Sequence, residues 1–372
     1  MTKLFCRTIF RAGWHRQVQP ANFFGALTIA GLAALFLATS GASQTKVAPG
    51  RPSARPQDSA TRVQVWFHPN MGSEDLLRLF SSPEAWPTVR DRVDVFGLSY
   101  TALRDTNPAA RKKLGPNTWE AIQKADVVKK LASWGKALDL TAQPIQSYRQ
   151  SPQKLPPALE NAQHQAALTI EAIDNVRAQG GQVQYVTMDE PLRFSGPDQN
   201  NYALADTVKA VKAYMTAIHD KYPDIQIGEY MPYPRYSAVQ IERWIDLLAA
   251  AGTAPAFEHL DVNYQFLLQP RQGAGRARLA AELPALAAFC RQRQIPFGVV
   301  YTTTGTIGSS RQFFVQTRQS IQLAQSVMRV PPDHVIFQSW AEDAAGQKLH
   351  PVNLPETGNF SLTYLVKTVL GL

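Results

Sequence analysis

Eight short apolar segments recur along the chain, and each is followed by a segment whose apolar residues have helical spacing. This order constrains the fold strongly, because one strand reaches a parallel neighbour only through a crossover. Eight such units in 310 residues predict an α/β fold, a single (β/α)8 TIM barrel. The expected strands are Val63–His68, Val93–Tyr100, Ala137–Ala142, Val183–Met188, Ile225–Tyr230, Phe257–Tyr264, Phe297–Thr302 and Val335–Trp340.

The clearest helical pattern lies between the fourth and fifth expected strands. Its apolar residues are spaced by four, three, four and three positions, namely Leu204, Val208, Val211, Met215 and Ile218. A last helix is expected from Leu362 to Leu370. An open doubly wound sheet would favour a glycine-rich turn after the first strand. Residues 68–72 read HPNMG, which is not such a turn.

The N-terminal segment has the layout of a secretory signal peptide. Four basic residues and no acidic one accompany an apolar run from Phe23 to Leu37, and small residues follow. This order predicts a signal peptide over residues 1–42 with cleavage near Ala42. A membrane anchor is the alternative, but the run is shorter than the ~20 residues that a spanning helix needs.

Residues 43–62 are rich in Pro, Ser, Arg and Gln and contain little to bury. This composition predicts a disordered tether. The barrel domain is therefore expected over residues 63–372 of a periplasmic or secreted monomer, with no stable membrane span after signal cleavage.

The net charge of +9 belongs mostly to residues 1–62, which leaves +2 on residues 63–372. A nearly neutral domain lacks the basic surface that attracts nucleic acid, so no nucleic-acid partner is expected. Cys290 is the single cysteine beyond the expected signal peptide, which excludes an intrachain disulfide in the mature protein. Its apolar helical surroundings predict a small core residue.

Chemistry in such a barrel occurs at its mouth, the end where the strands finish. Alternation decides which strand residues face inward, because outward residues pack on helices and should be apolar. This parity places Glu229 outward with Ile225 and Ile227. The mouth is expected to collect Tyr100, Asp189, Glu190, Tyr230, Asp261, Tyr264, Tyr301, Trp340 and Glu342. His68 and Asn263 are also expected to face inward.

Paired carboxylates and aromatic rings in one cleft favour carbohydrate chemistry. In glycoside hydrolysis one carboxyl group protonates the leaving oxygen, and the other attacks the sugar or activates water. Each acid has a structural alternative as an ion-pair or hydrogen-bond partner at a strand end. The predicted function is nevertheless hydrolysis of a glycosidic bond, with a carbohydrate as the partner.

The segment Met188-Asp189-Glu190-Pro191 resembles the Asn-Glu-Pro motif that ends strand 4 in a large clan of (β/α)8 glycoside hydrolases. The resemblance implies that Glu190 is the general acid, with a pKa raised by the like charge of Asp189. Trp340 is similar to the tryptophan that lines the sugar subsite in that clan. His68, Tyr230, Asn263, Tyr264, Tyr301 and Glu342 are further expected substrate contacts.

Two positions depart from the clan's pattern. Asp189 stands in place of asparagine, which turns a hydrogen-bond donor into an acceptor or a second acid. The clan's nucleophilic glutamate ends strand 7, where residues 300–304 read VYTTT without a carboxylate. The second acid must then be Asp189, Asp261 or Glu342, with Asp261 and Asp189 favoured.

Other functions remain open from the sequence. A metal-dependent hydrolase would need several histidines at strand ends, whereas only His68 and His259 are candidates and His259 lies early in its strand. No metal or cofactor is therefore expected. Residues 305–310 offer at most a weak anion site. The missing strand 7 acid also leaves a non-catalytic or inactivated carbohydrate-binding barrel as the alternative.

Overall fold

Eight parallel strands close into one barrel in the computed structural model, which describes residues 62–104, 115–267, 275–303, 305–339 and 341–372. Each strand pairs with the next, and the last pairs with the first. The strands are β1 (Gln64–Phe67), β2 (Val95–Ser99), β3 (Ala137–Ala142), β4 (Tyr185–Asp189), β5 (Gln226–Tyr233), β6 (Glu258–Val262), β7 (Phe297–Tyr301) and β8 (His334–Phe337). The predicted barrel and all eight of its strands are confirmed.

Helices surround the barrel and join successive strands. They are α1 (Arg78–Ser81), α2 (Pro87–Arg92), α3 (Trp119–Lys124), α4 (Val127–Ser133), α5 (Ala158–Ala178), α6 (Pro191–Ser195), α7 (Leu204–Lys221), α8 (Ala238–Ala250), α9 (Tyr264–Leu267), α10 (Gly275–Gln292), α11 (Ser310–Val327) and α12 (Leu362–Leu370). The two helices predicted from spacing correspond to α7 and α12. No helix in the described part of the chain is long and apolar enough to cross a bilayer.

Alternation along the strands divides the buried side chains into two sets. An inner set fills the barrel and consists of Trp66, Val95, Tyr230, Phe257, Val300 and Ile336. The residues on either side of Trp66, Val65 and Phe67, belong to the larger outer core between strands and helices. Cys290 on α10 is fully buried in that outer core, which confirms its predicted packing role.

Two glutamates are fully buried in the outer layer, between neighbouring strands and α8. Trp244 Nε1 on α8 donates to both carboxylate oxygens of Glu229, at 3.0 Å each. Burial raises the pKa of Glu229 to about 7, and burial next to Glu229 raises the pKa of Glu258 well above its ordinary value. Glu229 therefore faces outward, as alternation predicts, and serves the packing of the barrel wall.

The Glu229–Glu258 pair predicts a stability that falls as pH rises. A carboxyl group whose folded-state pKa exceeds its unfolded value binds its proton in the folded protein, so that stability is present in acid and declines from about pH 4.5 upward through pH 7. Glu258→Gln supplies a neutral donor, and we expect a flatter profile for this variant. Urea unfolding between pH 5 and pH 8 measures the slope.

The exposed Glu120→Gln on α3 serves as the matched control, and it should follow the wild-type profile. A Glu258→Gln profile as steep as that of the wild type would contradict the assignment of this pH dependence to the buried Glu229–Glu258 pair.

Candidate active site

β4 delivers the two adjacent carboxyl groups to the mouth. Val186 and Met188 pack in the outer core, so Thr187 and Asp189 face inward by alternation. Asp189 pairs in register with Tyr230 on β5. The strand ends there, and Glu190 follows with its backbone N–H donating to the Tyr230 carbonyl oxygen at 3.2 Å. The structure thus places both predicted acids at one strand end.

Glu190 adopts a left-handed backbone conformation, with φ of 45°. Non-glycine residues rarely occupy this region, and such positions cluster at functional sites. Pro191 then begins α6, whose short turn brings Arg193 back over the glutamate. The Arg193 guanidinium donates to Glu190 Oε2 in an ion pair, and the glutamate is only 7% exposed. Glu190 is therefore held as one partner of an ion pair.

Asp189 holds its proton more tightly than an ordinary aspartic acid does. Burial is the main reason that its pKa rises to about 7, and the adjacent charge of Glu190 raises it further. A hydrogen bond with Gln143 and the charges of Arg193 and Lys348 oppose the rise. The structure thus places a raised pKa at Asp189.

Asp261 and Tyr230 lie on the neighbouring strands. Leu260 and Val262 pack in the outer core, which leaves Asp261 facing inward as expected. Burial, followed by the charges of Asp139, Asp189 and Asp261, raises the pKa of the Tyr230 hydroxyl. The fully buried Tyr230 hydroxyl is therefore close enough to Asp189 and Asp261 to be affected by the charges of both.

Asn263 follows the last residue of β6, and its side chain bonds to the backbone. Its Oδ1 accepts from the Phe266 N–H at 2.9 Å, which caps the start of α9. Its own N–H donates to the Tyr233 carbonyl oxygen at 2.7 Å. This residue fixes the loop beside Asp261.

Two aromatic residues predicted as sugar contacts at the mouth lie elsewhere, and Tyr100 is likewise buried in the outer core, where its hydroxyl donates to Gln165 Oε1 at 3.0 Å. Val300 takes the inward position on β7, so Tyr301 faces outward and packs edge-on against Phe337, with ring centroids 5.4 Å apart. Tyr264 begins α9 and is buried in the outer core. Neither placement supports the predicted sugar contact, because strand parity and the start of α9 turn these rings away from the barrel axis.

The segment after β8 contains the remaining predicted contacts. Trp340 lies outside the described residues. Glu342 is exposed, and its carbonyl oxygen accepts from the Ile307 N–H at 2.8 Å, where the chain forms a bridge between Thr306 and Glu342. The structure thus gives the Glu342 backbone a role in joining two loops.

His68 is placed inward as predicted but lies beneath the mouth rather than on its surface, at 4% exposure. Its Nδ1 is 3.4 Å from Thr141 Oγ1 and 3.5 Å from the Tyr230 hydroxyl. Burial lowers the pKa of His68 to about 3, so its imidazole is neutral at ordinary pH. A direct sugar contact through this ring is not supported by its burial.

Asp139 is an inward acid that the sequence hypothesis overlooks. It is fully buried on β3, accepts from Thr187 Oγ1 at 2.7 Å, and lies 3.5 Å from His68 Nε2. Burial raises the pKa of Asp139 to about 8. The signal was available, because outward Leu138 and Leu140 place Asp139 inward by the same alternation that identifies Asp189.

His259 lies deep in the barrel, as its early position in the strand predicts. Its Nε2 is 3.0 Å from His334 Nδ1. Burial lowers the pKa of His334 to about 4 and that of His259 well below its usual range. Over the described ranges, no three metal-ligating side chains form a group that could hold an ion.

Comparison with known proteins identifies the fold but not a family. No protein-family model matches the sequence, and no curated protein matches it. GH5_18 from Streptomyces cattleya, solved in complex with GlcNAc, is similar with 10% identity and a TM-score of 0.50, over 84% of this chain and 80% of that one. At this identity the likeness shows the fold alone, a (β/α)8 barrel like that of glycoside hydrolases.

Two further structures show weaker similarity. The glucosidase from Croceicoccus marinus has 14% identity and a TM-score of 0.44, and the similarity covers 77% of this chain but only 63% of the glucosidase. D-allulose 3-epimerase from Methylomonas sp. has 14% identity and a TM-score of 0.42, with coverage of 84% and 98%.

Gly97 allows His68 to occupy its place in the barrel. A Cβ at position 97 would lie 2.2 Å from the imidazole Cε1. We expect Gly97→Ala to lower the free energy of unfolding by about 1–3 kcal/mol, because the added methyl group forces the ring to move. Gly308→Ala is the control, since its Cβ would meet nothing nearer than Gln312 Oε1 at 3.7 Å. Equal unfolding midpoints for the two variants would contradict this close packing.

Proposed function

We propose that the protein hydrolyses a glycosidic bond of a carbohydrate at the barrel mouth. Asp189 is the proton donor to the leaving oxygen, and Asp261 on β6 is the opposing carboxylate that attacks the sugar or activates water. The observation that carries this proposal is the contrast at the end of β4. Asp189 has a pKa raised to about 7, while Glu190 is paired with Arg193.

Neighbouring carboxyl groups with contrasting environments are the usual basis of acid and base assignments. A general acid works best when its pKa lies near the working pH, because it is then both protonated and able to release the proton. Asp189 meets this requirement. The sequence hypothesis gives the acid role to Glu190. The ion pair with Arg193 instead favours a negatively charged Glu190, and this charge helps to raise the pKa of Asp189.

This assignment predicts that activity falls as pH rises through about 7, because Asp189 then loses the proton that it must donate. We expect Asp189→Asn to lower kcat/KM by roughly 10²- to 10⁴-fold and to remove that decline. Initial rates on a panel of aryl glycosides and soluble polysaccharides, measured from pH 4 to pH 9, provide the test.

Asp224→Asn is the matched control, because Asp224 is 68% exposed in the turn that precedes β5, away from the mouth. Glu190→Gln separates the two candidate acids. If Glu190→Gln abolishes turnover while Asp189→Asn retains the wild-type pH profile, the acid is Glu190 and the assignment to Asp189 is wrong.

A non-catalytic carbohydrate-binding barrel is the second candidate, favoured by the polar groups that follow β7. In place of a carboxylate, Thr303 Oγ1 accepts from Gln265 Nε2 at 3.2 Å, and Gln265 also donates to Gln316 at 2.6 Å. Calorimetry with the same panel, extended by GlcNAc, distinguishes the candidates. Binding without turnover by the wild type would favour this second function.

We further propose that the chain is exported and that the mature protein begins at Ser43, which follows the expected cleavage site. The N-terminal sequence of the protein recovered from the periplasm or medium of an expressing bacterium is the measurement. Leu32→Arg places a charge in the apolar run and should block processing. An intact N-terminus on the wild-type protein retained inside the cells would contradict export.

A further inference from the structure

Four inward side chains from four different strands meet beneath the mouth. They come from the end of β1 (His68), from β3 (Asp139), from β4 (Thr187) and from β5 (Tyr230). Each of them is at most 4% exposed, so none is solvated by bulk water. Buried polar groups must satisfy their hydrogen bonds within the protein. The four side chains therefore constrain which of them donates and which accepts in each hydrogen bond.

Asp139 uses one carboxyl oxygen and leaves the other without a hydrogen bond. Its Oδ1 accepts from Thr187 Oγ1 at 2.7 Å. Its Oδ2 has no hydrogen-bond partner within the described residues, and the same is true of His68 Nε2. These two atoms face each other at 3.5 Å. A single proton between them satisfies both, so it belongs either to the carboxyl group or to the imidazole.

The location of this proton decides whether His68 donates to or accepts from the hydroxyl groups of Thr141 and Tyr230. A neutral imidazole carries one hydrogen, so a donor at Asp139 Oδ2 makes Nε2 an acceptor and Nδ1 a donor. Nδ1 then donates to the oxygen atoms near it, Thr141 Oγ1 at 3.4 Å and the Tyr230 hydroxyl at 3.5 Å. The opposite tautomer would make both hydroxyl groups donors towards His68.

We propose that Asp139 and His68 are positioning residues of the site: Asp139 donates to His68 Nε2, and His68 Nδ1 donates to the hydroxyl oxygens of Thr141 and Tyr230, so that the Tyr230 hydroxyl hydrogen points away from His68. This inference rests on the proposed function, because its consequence is a fixed hydrogen-bond donor beside Asp189 and Asp261. Such a donor stabilises the ionised member of a carboxyl pair.

The environments of the two groups support this direction. Burial raises the pKa of Asp139 to about 8 and lowers that of His68 to about 3, so at neutral pH the shared proton belongs to the aspartic acid. The ring also packs directly against the backbone of Gly97, since a Cβ there would lie 2.3 Å from both imidazole nitrogens. The imidazole therefore has little freedom to turn away from either partner.

The tautomer of His68 is measured directly by nitrogen NMR of the full-length protein labelled in histidine, at pH 7. The direction proposed requires hydrogen on Nδ1 and a bare Nε2. Hydrogen on Nε2, or a doubly protonated ring, would overturn the proposal. This measurement uses no substrate, so it stands even if no sugar is cleaved and the proposed function fails.

Variants of Asp139 test the positioning role in turnover of the best substrate from the glycoside panel. Asp139→Asn retains a donor for His68 Nε2 and an acceptor for Thr187, so we expect kcat within about 3-fold of wild type and an unchanged tautomer. Asp139→Ala removes the donor, and we expect kcat to fall roughly 10- to 100-fold with KM nearly constant. Equal kcat for the two variants would overturn the proposal.

Thr187→Val provides a second route if Asp139→Ala fails to fold. It removes the hydroxyl that orients the Asp139 carboxyl group, and kcat should fall while Thr317→Val has no effect. Thr317 is the matched control because it is equally buried, on α11, and its hydroxyl has no hydrogen-bond partner in the described part of the structure. Equal kcat values for the Thr187 and Thr317 variants would count against the network.

Discussion

Closure of the barrel is the constraint on which the rest of this structure depends. Because β8 pairs with β1, every inward side chain lies in a space bounded by backbone on all sides. Trp66 and its aromatic neighbours fill the lower part, with the Tyr185 ring centroid 4.7 Å from that of Trp66. Polar residues that share this space must therefore satisfy one another.

That constraint explains why the acids at the mouth differ. Asp189 faces into the barrel, where burial and the adjacent charge of Glu190 raise its pKa, and the turn after the strand brings Arg193 to Glu190. Two adjacent carboxyl groups thus have different environments: Asp189 faces into the barrel, and Glu190 forms an ion pair with Arg193. The same alternation separates Glu229, in the outer layer with Trp244, from any role at the mouth.

The sequence predicts this fold well because alternation and helical spacing are local patterns. Val211, Met215 and Ile218 lie on the buried face of α7, and the predicted strands differ from the observed ones by only a few residues at their ends. Site residues are harder to predict, because the sequence at the end of a strand does not always show which residues face into the barrel. Tyr301 shows this limit, since its type suits a sugar site but the inward position belongs to Val300.

The acid assignment lies beyond the sequence for a different reason. The Asn-Glu-Pro resemblance points to Glu190, but the environment of each carboxyl group depends on contacts that no motif records. Arg193 is three residues away and reaches Glu190 only because Glu190 is left-handed and Pro191 starts a helix there. Asp139, in contrast, is predictable, because outward Leu138 and Leu140 place it inward by alternation.

The polar groups after β7 restrict which strands can supply the carboxylates of a hydrolytic site. Gln265, Thr303 and Gln316 form a neutral cluster at the strand end where the clan has a nucleophilic glutamate. A hydrolytic site must then draw its charge from β4 and β6, which lie on either side of β5 and its Tyr230. A hydrogen-bond donor fixed at Tyr230 therefore stands between the only two strands that supply inward mouth carboxylates in the described ranges, where it can influence both.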